Sequence, residues 1–206
     1  MLRYRIRMMF RMRRLLRVGL AAAAAGALVV WLVAGLVTAR AAVTVPGLDG
    51  TRVAPLASAV GVEATVLLFV MTDCPISNRY APEVIRIQEE FAGSVRFWLT
   101  YVDVQRPVDE HREHRASFGY PFGAVRDADG ALATLAGATV TPEVAVFDGR
   151  QRMIYRGRID DRFVSFGVAR RAPRTRDLHG VLSRVAAGET LAFSETRAVG
   201  CYIPGL

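Results

Sequence analysis

Charged and apolar positions divide this chain near residue 41. Residues 3–17 carry seven arginines, and residues 18–38 hold no charged side chain and are rich in Ala, Leu and Val. An uncharged stretch of that length crosses about 30 Å of hydrocarbon as a helix rising about 1.5 Å per residue. The pattern therefore predicts an N-terminal transmembrane or signal helix over residues 18–38. Beyond it the apolar runs are short. Pro46, Gly47, Asp49, Gly50 and Pro55 break up residues 42–60, which predicts an extended entry segment or hairpin. Residues 65–71 (TVLLFVM) form a β-branched, apolar run of the length expected for a strand buried on both faces. After Pro75, apolar residues at Ala81, Val84, Ile85, Ile87 and Phe91 recur at helical spacing as far as Gly93, with Pro82 expected to kink or restart the helix.

The alternation continues. Residues 95–104 predict a second strand, residues 108–118 a surface helix of mixed charge, and residues 131–135 a short helix before a turn at Gly137. Residues 143–147 and 153–156 flank Asp148-Gly149, a strong hairpin signal, and residues 175–187 predict a last helix ended by Gly188. Strands alternating with helices, then a hairpin and a closing helix, imply an α/β domain whose central mixed sheet is covered on both faces. The predicted organisation is a basic N-terminus with an anchor or signal peptide over residues 1–41, then one domain over residues 42–206.

Charge sharpens this division. The formal net charge is +8, but eight of the 27 basic residues lie before position 42, leaving 19 to face 19 acidic ones. A neutral domain lacks the footprint of a nucleic-acid binder. Every basic residue is Arg, which removes Schiff-base lysine chemistry and the P-loop, and no GxGxxG pattern is present, so no cofactor is expected. By the positive-inside rule the arginines stay cytoplasmic and the domain is exported, anchored in the inner membrane and facing the periplasm or extracytoplasmic space. Ala39-Arg40-Ala41 resembles a small-x-small cleavage site that would release the domain, whereas the apolar run exceeds a signal-peptide core of about 7–15 residues and favours an anchor. Arg13-Arg14 before Leu15-Leu16 also matches a twin-arginine signal, but in so Arg-rich a segment an adjacent pair is expected by chance.

The chain has two cysteines. Cys74 sits where a buried strand gives way to a helix, and first-turn N–H groups with the positive end of the helix dipole favour its thiolate. Pro75 suits the first helical turn because the N–H it lacks would be unpaired there. Ser77, three residues on and on the same helical face, has a hydroxyl able to donate to that thiolate. The bland alternative is a buried, inert cysteine.

The stretches LLFVMTDCPISNRYAPE and GATVTPEVAVFDGRQRMIYRGRIDD together resemble redoxin-type members of the thioredoxin-like superfamily. That group includes membrane-anchored thiol-disulfide oxidoreductases and the alkyl hydroperoxide reductase relatives, and the resemblance covers roughly residues 60–162. It implies a thioredoxin-like fold, a cis-proline at Pro142 beside the reactive cysteine, and a backbone at Thr141 offered to an extended substrate peptide. The implied partners are protein thiols or disulfides in the cell envelope. The chain departs from the commonest motif, Cys-x-x-Cys, because Ser77 replaces the second cysteine. Cys201, in the C-terminal segment, is then a candidate resolving cysteine, a structural staple to Cys74, or an unrelated free thiol.

Two other functions stay open. Peroxiredoxins place a threonine three residues before their reactive cysteine, whereas Thr72 is two before Cys74, which counts against a thiol peroxidase. Loss of the second motif cysteine also fits an anchored binding module or assembly chaperone. His111 and His114, at i, i+3 spacing, suggest either metal ligands or, given the interleaved Arg and Glu, a solvated helix face, and the second is the expectation. No partner is visible for His179. Asp160-Asp161 and the arginines of residues 170–176 are expected to be loop and helix-start charges, with a docking patch for an acidic partner or lipid head groups as the sharper alternative.

Overall fold

The structure, a computed structural model, describes residues 43–205. The predicted anchor or signal segment, residues 18–38, lies outside them, and among the described residues no helix is long and apolar enough to cross a membrane.

Strands β1 (Val45–Pro46) and β2 (Arg52–Val53) form the entry hairpin. Strand β3 (Ala64–Val70) is buried at every position, as a continuous apolar run requires of a strand with a covered sheet on either side. It leads through Met71–Cys74 into helix α1 (Pro75–Phe91), which buries Tyr80, Ala81, Val84, Ile87 and Phe91. Strand β4 (Val95–Tyr101), helix α2 (Val108–Ser117), strand β5 (Gly123–Arg126) and helix α3 (Ala131–Ala136) follow. Strands β6 (Val140–Thr141), β7 (Glu143–Asp148) and β8 (Met153–Gly157) come next, the last two of them in the central sheet. A small hairpin, β9 (Phe163–Ser165) and β10 (Val168–Ala169), precedes helix α4 (Asp177–Ala186), and the chain closes with β11 (Ser194–Glu195) and β12 (Cys201–Tyr202).

Six strands form the central sheet in the order β11-β8-β7-β3-β4-β5. The β3-β4-β5 half is parallel, and β7 joins β3 and β8 antiparallel, so the sheet is mixed as the element order implies. Helix α1 runs unbroken through Pro82 over 17 residues, where the sequence predicts a kink or restart. The proline removes one backbone N–H, and six buried side chains of α1 besides Ser77 hold the segment against the sheet regardless. Strand β4 stops at Tyr101, three residues short of its predicted end, because Asp103 turns away to serve the loop before Cys74.

Candidate active site

Cys74 is the N-cap of α1, with extended backbone (φ −79°, ψ 107°) and Pro75 at the first helical position. The chain must bend there because β3 ends at the sheet's edge while α1 runs back across its face. The cysteine's own carbonyl accepts the Asn78 N–H at 3.1 Å, closing the first helical turn. Its side chain is 0% exposed.

Around the sulfur, the thiol donates to the Thr141 carbonyl oxygen at 3.1 Å. Thr141 precedes Pro142 through a cis peptide bond, as the resemblance implies. Ser77 Oγ and Thr141 Oγ1 are buried with no other partner, which leaves both hydroxyls free to turn toward an anionic sulfur. Burial pushes the Cys74 thiol up, but hydrogen bonds from Cys201, from the Ser77 and Thr141 side chains and from the Ser77 N–H outweigh it and hold the group below its usual range. The N-terminal end of α1 adds to the same direction. Cys201 moves the opposite way. Burial first, then its hydrogen bond to Cys74 and the negative charges of Cys74 and Asp73, push it up to about 12. The two shifts run in opposite directions and favour the anion on Cys74 and the proton on Cys201.

Both cysteines are free thiols, and strand pairing brings them together although 127 positions separate them in sequence. β12 lies antiparallel to β6, with Cys201 opposite Thr141 and Tyr202 opposite Val140. The Thr141 backbone, expected to be offered to a substrate peptide, is thus occupied by the chain's own C-terminal segment. Gly200 is pressed against it so closely that a Cβ would sit 2.0 Å from the Thr141 oxygen.

Behind the nucleophile lies a polar cluster that sequence reasoning missed. Asp103 accepts the Thr72 N–H at 2.8 Å, the Thr72 hydroxyl at 2.7 Å and the His111 ring N–H at 3.0 Å. Burial raises its carboxyl, but those three donors prevail and keep it below the usual carboxylate range. Asn78 ties the same loop from the helix side: its amide donates to the Thr72 carbonyl at 3.0 Å, and its oxygen faces His114 Nε2 at 2.8 Å. That orientation puts the His114 proton on Nε2 and leaves Nδ1 to accept from the Tyr101 hydroxyl at 2.9 Å. Burial lowers His114, and the ring is neutral.

The expected solvated face of α2 is corrected here. His111 is 0% exposed, and both histidines are buried against Tyr101. The charged neighbours that suggested solvent occupy the other faces of the helix. Nor do the two rings share a ligand position, since one addresses Asp103 and the other Asn78. Asp160 and Asp161 lie in a loop as expected, and both are buried there. Asp160 accepts from the Tyr80 hydroxyl and the Arg162 N–H, and Asp161 from the N–H groups of Arg174 and Thr175, so each carboxylate organises a turn. His179 does have a partner, Glu90 at 2.8 Å. Of the arginines in residues 170–176, Arg170 lies 3.7 Å from Asp161 and Arg176 3.3 Å from Glu83.

No family model and no curated protein matches the sequence. Solved structures do match. An uncharacterized conserved protein from Geobacillus kaustophilus superposes with a TM-score of 0.65 at 21% identity, over 80% of this chain and 92% of its own. A hypothetical protein from Sinorhizobium meliloti gives 0.64 at 20% identity, over 78% and 89%. A secreted Mycobacterium tuberculosis disulfide oxidoreductase homologous to E. coli DsbE gives 0.51 at 19%, over 71% and 96%. The described residues have the thioredoxin-like fold, with a cysteine opening α1 against a cis Thr-Pro bond. Within that class this chain carries one cysteine in the helix turn and its second on a C-terminal strand.

Proposed function

We propose that this chain is a thiol-disulfide oxidoreductase of the cell envelope that works with Cys74 as nucleophile and Cys201 as resolving thiol. The observation that supports it is that Thr141 brings the two thiols to one place: its carbonyl accepts from Cys74 at 3.1 Å and Cys201 lies opposite it on β12, with Cys74 shifted toward the thiolate and Cys201 toward the thiol.

The Cys74 thiolate attacks one sulfur of a client disulfide, forming a mixed disulfide and expelling the client's other sulfur as a thiolate. Cys201, deprotonated, then attacks the Cys74 sulfur. The second client sulfur leaves as a thiolate, both client thiolates take protons, and the two electrons come from the Cys74–Cys201 pair, which ends as a disulfide. An external dithiol then reduces the Cys74–Cys201 disulfide to two thiols and itself becomes a disulfide; with the opposite poise the same pair oxidises clients. Burial, the hydrogen bond to Cys74 and the charges of Cys74 and Asp73 all raise Cys201. Once Cys74 is in a mixed disulfide its contributions vanish, and Cys201 becomes more acidic at the step that needs its thiolate. The envelope assignment rests on the arginine-rich N-terminus and the apolar run after it.

A thiol peroxidase reading is weaker, because the Thr72 hydroxyl is committed to Asp103 at 2.7 Å and is not offered to a peroxide at the sulfur. The decisive experiment measures disulfide exchange by wild type and Cys74→Ser, with the potential of the Cys74–Cys201 couple. Exchange reduced to background in the variant, with a couple between about −120 and −270 mV, is the expected result. Unchanged exchange overturns the proposal, and a couple below about −300 mV makes the link a structural staple. A client complex that survives blocking of Cys74 supports the binding-module reading instead.

A further inference from the structure

Strand β12 occupies the one backbone edge next to Cys74 on which an extended client could lie. Cys201 and Tyr202 pair with Thr141 and Val140, and the Ile203 N–H continues the contact to the Thr139 carbonyl at 3.0 Å. Ile203 is buried in the core, whereas Tyr202 beside it is 82% exposed, the in-and-out alternation of a strand added to an edge. Gly200 leaves no space between itself and the Thr141–Pro142 peptide. Upstream, residues 194–196 are fixed on β8: Ser194 and Glu195 pair with Tyr155 and Arg156, and the Thr196 N–H donates to the Arg156 carbonyl at 3.0 Å. Between Thr196 and the end of the described chain the one polar side-chain contact is that of Cys201 with Cys74.

We propose that residues 200–203 are an intramolecular stand-in for a client strand. In the resting protein they fill the Val140–Thr141 edge, and an extended polypeptide segment carrying the target disulfide has to displace them to reach Cys74. The tail's return then delivers Cys201 to the mixed disulfide and takes back the edge the client held, so resolution and client release are one event. This rests on the thiol-exchange reading above. The partner it fits is an unfolded or locally extended segment that pairs through its backbone, because the contact the tail makes with β6 is itself a backbone contact.

The test isolates Cys74 by working in the full-length Cys201→Ser chain and follows its alkylation by intact mass. Rates are compared at each variant's alkaline plateau, so that thiolate fraction does not enter. Adding Gly200→Val pushes the strand off its edge, and the expected result is alkylation at least ten-fold faster than in Cys201→Ser alone. A synthetic peptide Val-Gly-Ser-Tyr-Ile, the tail with serine in place of the cysteine, is expected to slow the double variant again. Equal rates, or fast alkylation that the peptide leaves unchanged, overturn the proposal. Both are read in a variant whose circular-dichroism spectrum matches that of Cys201→Ser; should Gly200→Val lose that spectrum, Ile203→Ala, which removes the tail's buried anchor, takes its place in the same comparison. Exchange activity of the wild type and its loss in Cys74→Ser are measured separately, so the failure of this proposal leaves the thiol-exchange reading standing.

Discussion

The nucleophile is held from behind and covered from in front by two structures of opposite construction. Behind it, Asp103 and Asn78 make five hydrogen bonds to Thr72, His111 and His114, all part-buried, which tie helices α1 and α2 to the loops that leave β3 and β4. In front, β12 contributes a two-residue pairing, one further backbone bond at Ile203, and one buried side chain. Burying an isoleucine side chain stabilises by about 1.5–3 kcal/mol, and with the Cys201–Cys74 contact it is the anchoring the front has beyond its backbone bonds. A buried hydrogen-bond network is costly to breach, because each orphaned donor in low dielectric costs about 1–3 kcal/mol. The thiolate is thereby given a fixed seat while the strand that shields it is set to leave at far lower cost.

The largest effect is expected behind the nucleophile. Asp103→Ala orphans the Thr72 N–H, its hydroxyl and the His111 ring N–H, and should destabilise the domain by about 3 kcal/mol, or about 6–12 °C in Tm by calorimetry. Ile203→Ala is expected to lower global stability far less, because the tail detaches before the domain unfolds, yet to raise Cys74 alkylation. Equal Tm losses in the two variants would erase the contrast.

Acid should separate the regions next. His114 has its folded pKa lowered by burial, so the unfolded chain binds the extra proton first, and stability falls as pH drops below the unfolded value near 6.5. Asp103 is also lowered, so its contribution is complete above the unfolded carboxylate value near 4 and is lost as pH falls through its folded pKa. Urea midpoints against pH should show both windows in wild type and only the lower one in His114→Phe, referenced to that variant's own plateau. The smallest effect is in front: Cys201→Ala removes a donor to the sulfur, so the Cys74 pKa should rise, seen as a shift of thiolate absorbance to higher pH.

The same contrast marks what could be foreseen from sequence. Strand β3 and helix α1 are long enough for periodicity to speak, and Cys74, Pro75 and Ser77 follow from their junction. Thr141 and Pro142 came only through family resemblance, since a lone Thr-Pro carries no local signature. Strands β6, β11 and β12 are two residues each, shorter than any period, and are created by tertiary pairing. That is why Cys201 was legible as a second thiol but not as an occupant of the client edge. His111 and His114 misled because the run Glu110–Arg115 looks polar all round, while burial was decided by Tyr101 and Asp103 from a different element. Asp160 and Asp161 are the loop charges expected, but their partners, backbone N–H groups of turns no pattern announced, were not legible.

The fastening of residues 194–196 to β8 fixes how far Cys201 can stray. Cys201 stands five positions after Thr196, so even fully extended it remains within about 17 Å of that point. A thiol on so short a leash meets Cys74 at an effective concentration on the order of millimolar, independent of how dilute the protein is. Small thiols at lower concentration cannot compete with it for the mixed disulfide, and the chain carries its own rate of release wherever it is placed.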